Sequence, residues 1–176
     1  MTQPISPYVV VPLLGADGHG KSTLAGALAN AAQVAPRWIQ VEGRSAALFD
    51  LPGPGRVWQL VDFPDVETAR ALLPTTRAQG AVLVVSALDG VVHETVASLE
   101  AAHDARVPIV VIAMTKCDVA ADPELADLVG LEVRECLSKH HMGGDATPLV
   151  QLPCAAGQAH ARDGMRELLG YIQRCP

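Results

Sequence analysis

The stretch Gly15-Ala16-Asp17-Gly18-His19-Gly20-Lys21-Ser22 has the spacing G-x-x-x-x-G-K-[ST], and its residue types suit the holding of phosphate. Glycines let the backbone curl until successive N–H groups converge on one point and form an anion nest. A helix starting at the loop's end adds its positive dipole. Lys21 would reach the terminal phosphates, the Ser22 hydroxyl would ligate Mg²⁺, and Asp17, Gly18, His19, Gly20 and Thr23 would complete the cradle. His19 is expected to serve backbone shape. A glycine-rich turn that fits the pattern by accident would not need the flanks found here. An apolar run, Tyr8-Val9-Val10-Val11-Pro12-Leu13-Leu14, precedes the loop, and a helix-like segment from Ser22 to Ala29 follows it.

A second cluster, Thr115-Lys116-Cys117-Asp118, follows the apolar run Val107 to Met114. A [NT]-K-x-D tetrad at the carboxyl end of a strand reads guanine. The Asp118 carboxylate can accept two hydrogen bonds, from N1–H and the N2 amino group. Adenine lacks that donor pair and would leave the carboxylate unpaired. The Lys116 stem packs on the base. A P-loop kinase or ATPase is the weaker reading, and preference between ATP and GTP discriminates the two.

The rest of the chain must position these loops. Its 176 residues are 49% apolar and 18% charged, with a net charge of −6; that fits one core-forming domain over residues 1–176. No basic cluster is dense enough to track a nucleic-acid backbone. No apolar run reaches a membrane span and no secretory signal stands at the N-terminus, so a cytoplasmic protein away from membranes is expected. Cys117, Cys136, Cys154 and Cys175 lack metal or redox spacing.

Strand-like and helix-like segments alternate. Ala46–Phe49 and Arg56–Asp62, around Pro52-Gly53-Pro54-Gly55, read as an antiparallel hairpin. Val66–Ala71 reads as a short helix and Ala81–Val85 as a buried strand. His93–Ala105 has helical spacing, and a helix starting at Asp122-Pro123-Glu124 runs towards His140. Leu149–Leu152 reads as a last strand and Asp163–Arg174 as a last helix. Arg37–Gly43 shows no period. Trp38 and Trp58 are expected to pack, and His140-His141 to sit at a solvated helix end. The alternation predicts an α/β fold with a mostly parallel sheet.

Together, the two loops, Val61-Asp62-Phe63-Pro64, Gly80 to Val85 with Asp89-Gly90, Glu132 to Glu135 and Gly144 to Val150 resemble the GTP-binding domain of elongation factor Tu and related translational GTPases. The resemblance covers about residues 8–176 and is thinnest between 30 and 60. It implies a P-loop NTPase G domain, three-layer α/β/α with a mostly parallel six-stranded sheet. It also implies GDP/GTP binding with Mg²⁺, Asp62 supporting the ion through water. Cys154-Ala155-Ala156 falls where the family's loop touches the guanine oxygen, without the serine expected there. The family's two β-barrel domains have no counterpart, so tRNA delivery is not expected.

Departures from the family gather at the γ-phosphate. Its D-x-P-G-H is here Asp62-Phe63-Pro64-Asp65-Val66. Asp65 replaces a glycine whose N–H meets the γ-phosphate. Like charges about 4 Å apart repel by roughly 4 kcal/mol at an effective dielectric near 20, so GTP should suffer unless Asp65 points away. Val66 replaces the histidine that helps place the attacking water, a loss of about 10²–10⁴ in rate. No threonine lies between Leu24 and Val61 to close on Mg²⁺; Gly43 stands in its place, with Ser45 the nearest hydroxyl. Asp17 faces the γ-phosphate edge. These residues predict a guanine-nucleotide binder that hydrolyses GTP slowly or not at all and acts through a protein partner. The alternative is a nucleotide-independent or GDP-locked interaction module.

Overall fold

A computed structural model describes residues 8–53, 55–119, 123–153 and 159–175. In chain order the elements are β1 (Tyr8–Leu14), α1 (Lys21–Ala31), β2 (Arg37–Val41), β3 (Arg44–Gly53), β4 (Arg56–Asp62), α2 (Val66–Leu72), β5 (Ala81–Ser86), α3 (His93–Asp104), β6 (Ile109–Thr115), α4 (Pro123–Lys139), β7 (Leu149–Gln151) and α5 (Ala159–Ile172). The strands form one sheet in the order β2-β3-β4-β1-β5-β6-β7. β1 pairs in parallel with β4 and β5, and β5-β6 and β6-β7 are parallel too. β2-β3 and β3-β4 are antiparallel.

The hydrophobic pattern explains the layers. Ala81 to Val85 are all 0% exposed, as an unbroken apolar run must be when helices cover both faces of a parallel strand. Leu83 and Val85 pack with Leu99, Val133 and Leu137 of α3 and α4. Val82 and Val84 face the other way, towards Leu24 and Leu28 of α1 and Leu168 and Ile172 of α5. The result is a three-layer α/β/α sandwich.

Two expectations need correction. The sheet has seven strands, not six, because the segment without a period is β2. As an edge strand it buries neither face and shows the burial run exposed, exposed, intermediate, exposed, exposed, so no alternation marks it in the sequence. Trp38, on this strand, is 71% exposed and does not pack in the core, whereas Trp58 is 5% exposed.

β4 ends at Asp62 and the chain returns through α2 to β5, which lies on the far side of β1. The strand order therefore reverses around β1. In open α/β sheets, ligands bind outside the carboxyl ends of the strands at such a point. The loop after β1 and the residues ending β4, β5 and β6 all lie there.

Candidate functional site

The loop leaves β1 under a steric constraint that only glycine meets. Gly15 has φ +137, and a Cβ on it would lie 2.1 Å from the Val84 carbonyl oxygen. Gly20, in the left-handed region at φ 94, is the N-cap of α1 and offers no side-chain cap. The first N–H groups of α1 therefore find no side-chain acceptor at Gly20, the arrangement an anion exploits.

Lys21 folds back over this curl. It is 7% exposed, and its Nζ donates to the carbonyls of Gly15 and Ala16, both at 3.0 Å, and to Asp17 Oδ1 at 3.4 Å. Ser22 and Thr23 follow in the first turn of α1, both exposed. Ser22 sits close enough to Asp62, which ends β4 and is 7% exposed, for its hydroxyl to favour the charged carboxylate. Burial pushes the Asp62 carboxyl above its ordinary range, with Ser22 and Lys21 pulling the other way. Its Oδ1 has no hydrogen-bond partner. A buried carboxylate oxygen without a partner, next to a serine hydroxyl, fits a water-liganded Mg²⁺, which uses one or two protein oxygens and substrate phosphates. Among the described residues no group of three or more His, Cys, Asp or Glu forms a metal cage.

The tetrad is tied to the loop. Thr115, at the end of β6, donates from Oγ1 to the His19 carbonyl at 2.6 Å. Lys116 follows with φ 60, and its Nζ donates to Asp89 Oδ2 at 3.3 Å. Asp118 is exposed in the turn just beyond. A cleft of about 350 Å³ opens beside the loop, lined by Asp17, Gly18, His19, Asp89 and Lys116 among others. Cys154, Ala155 and Ala156 lie outside the described residues.

Two features were not legible as such. His19 does more than shape the backbone: its ring is buried, its Nδ1 has no partner, and its Nε2 lies 4.0 Å from Asp89 Oδ2. Burial lowers its pKa and Asp89 opposes that shift. Asp89 thus joins the loop after β5 to both His19 and Lys116. Only its place just past a buried strand hints at this in the sequence. Asp65, expected to repel a γ-phosphate unless it points away, has its carboxylate engaged by the backbone. It is the N-cap of α2, and its Oδ1 accepts from the Thr68 N–H at 2.6 Å.

Residues 39–176 match the family described as the elongation factor Tu GTP binding domain. The chain belongs to that family. The loop Gly15–Ser22 lies before the matched span, so loop and match are separate observations that agree. As an elongation factor Tu-type G domain, the chain places its GTP-binding family's strand ends around β1, where Lys21, Ser22, Asp62 and Thr115 converge. Among its described residues no helix is long and apolar enough to cross a membrane.

Proposed function

We propose that the chain binds GDP and GTP with Mg²⁺ and hydrolyses GTP slowly or not at all. The backbone of Asp17 to Thr23 would hold the phosphates and Lys21 would neutralise them. Thr115 would keep the loop against β6. Lys116 would pack on the base, Asp118 would read guanine, and Cys154-Ala155-Ala156 would border it. Ser22 and Asp62 would hold Mg²⁺, which when bound screens the phosphate charge. The observation that carries this reading is the buried Asp62 carboxylate, one oxygen without a partner, beside Ser22 and Lys21 under an uncapped helix.

Slow hydrolysis follows from what surrounds that cluster. Phosphoryl transfer relies on positioning and charge neutralisation. Val66 can neither orient water nor exchange a proton, and Asp65 spends its carboxylate on capping α2. That capped helix also favours a second reading, a nucleotide-independent or GDP-locked module that acts on a protein partner in the cytoplasm through residues 1–176. In that case Lys21→Ala leaves partner binding unchanged.

Calorimetric titration tests the proposal. GDP and GTP with Mg²⁺ should each give saturable one-to-one binding, while ADP and ATP at equal concentration should not. Phosphate release should run slower than about 10⁻⁴ s⁻¹, the scale of an unassisted small GTPase. Preference for adenine nucleotides would defeat the guanine claim, and faster turnover the claim of weak hydrolysis.

A further inference from the structure

The Lys21 side chain is 7% exposed, and a buried cation needs a counter-charge. Its three donors meet three oxygens, and two of these are neutral carbonyls of its own loop. The third belongs to Asp17, the carboxylate in direct ionic contact with it at 3.4 Å. The Asp17 side chain is 67% exposed, so the carboxylate paired with this buried lysine stands in reach of solvent. Asp62 and Asp65 also feel the charge of Lys21 at longer range.

A diphosphate and a triphosphate meet this arrangement differently. The backbone nest and the start of α1 hold a diphosphate through N–H groups whose partial charges do not depend on Lys21. A third phosphate adds charge beyond the nest and leans on the lysine. It has to draw Lys21 away from Asp17 and then sit near the displaced carboxylate.

We propose that Asp17 acts as a built-in substitute for the terminal phosphate, competing for Lys21 and making the site selective for guanosine diphosphate over triphosphate. The proposal rests on the nucleotide reading above and adds the residue that sets the preference. Ordinary exposed ion pairs contribute little. This one differs because the lysine is buried, so whichever anion neutralises it is favoured.

The test is titration of wild type, Asp17→Asn and Asp17→Glu with GDP and with GTP, both with Mg²⁺, at low and high salt. Wild type should prefer GDP. Asp17→Asn, which keeps the shape and removes the charge, should tighten GTP binding by about tenfold, or about 1.4 kcal/mol. It should tighten GDP binding by about threefold at most. Asp17→Glu restores the charge and should keep the wild-type ratio. High salt should narrow the wild-type preference more than that of Asp17→Asn. If both nucleotides bind and the Asn variant leaves their ratio unchanged, the role of Asp17 is overturned and nucleotide binding stands. If wild type binds neither, both readings fall.

Discussion

Asp62 carries the plainest electrostatic tension in the molecule. Its carboxyl is buried, its Oδ1 lacks a partner, and burial raises its pKa against the pull of Ser22 and Lys21. A raised carboxyl pKa means that the folded chain resists ionisation more than the unfolded chain does. The resulting cost is absent below the unfolded value near pH 4, grows as pH rises through the folded value, and is complete above it. Asp62→Asn should therefore stabilise the ligand-free protein at pH 7, by about 1 kcal/mol. Urea unfolding at pH 7 and pH 4 measures this: the gap should close at the lower pH. The same variant should lose any dependence of nucleotide affinity on Mg²⁺. A wild type more stable than the variant at pH 7 would show Asp62 to be well satisfied without an ion. At this scale Lys21 and Ser22 stand out in the sequence where chemistry and spacing coincide, and Asp62 only through the segment's resemblance to the family. The sequence was least informative where a side chain's partner comes from another strand. Nothing local to His19 announces burial against Asp89, some seventy residues away, because that contact exists only once β1 and β5 are neighbours.

Among the elements, α2 is short, and its N-terminus depends on one side chain. Asp65 accepts from the Thr68 N–H and has its pKa lowered first by that bond, with smaller help from Arg44 and Lys21. A depressed carboxyl pKa gives stability that is present above the unfolded value near pH 4 and is lost as pH falls through the folded value. Asp65→Ala should cost about 1 kcal/mol at pH 7, and the difference should shrink in acid, as read from denaturation midpoints across pH. Asp65→Gly should cost only a few tenths of that unit, since glycine is tolerated at an N-cap. Equal midpoints for wild type and the Ala variant at pH 7 would remove the cap from the account. The elements themselves were legible in proportion to their burial. β5 and β6 read directly, being sealed on both faces, and α3 and α4 follow their apolar spacing. β2 escaped because an edge strand with an exposed tryptophan carries no periodic signal. The β3–β4 hairpin was recognised from its Pro/Gly turn, but β3 runs on both sides of the expected segment, Arg44–Gly53 rather than Ala46–Phe49.

On the scale of the whole molecule, the site belongs to no single segment. The loop after β1, Asp62 at the end of β4, Asp89 after β5 and Thr115 at the end of β6 meet only because the sheet orders those strands side by side. Alternation of strands and helices foretold a parallel sheet, and the order reverses around β1 because the chain passes through α2 to β5 on the far side of that strand. A ligand gripping all four strand ends stabilises the folded state globally, since the unfolded chain offers no such cluster. By linkage, ligand at about 100 times its Kd adds about 2.7 kcal/mol. In a chain of this size that raises the unfolding midpoint by roughly 5–10 °C. GDP with Mg²⁺ should therefore lift the midpoint progressively with concentration, and ADP should not. Lys21→Ala should reduce that lift and should reduce the lift given by GTP further, because the third phosphate leans on the lysine while the backbone nest still holds the diphosphate. Its ligand-free midpoint, read in the same melt, reports separately any loss of the tether to Gly15, Ala16 and Asp17. A midpoint that stays flat up to millimolar GDP would mean that these strand ends converge without binding the nucleotide.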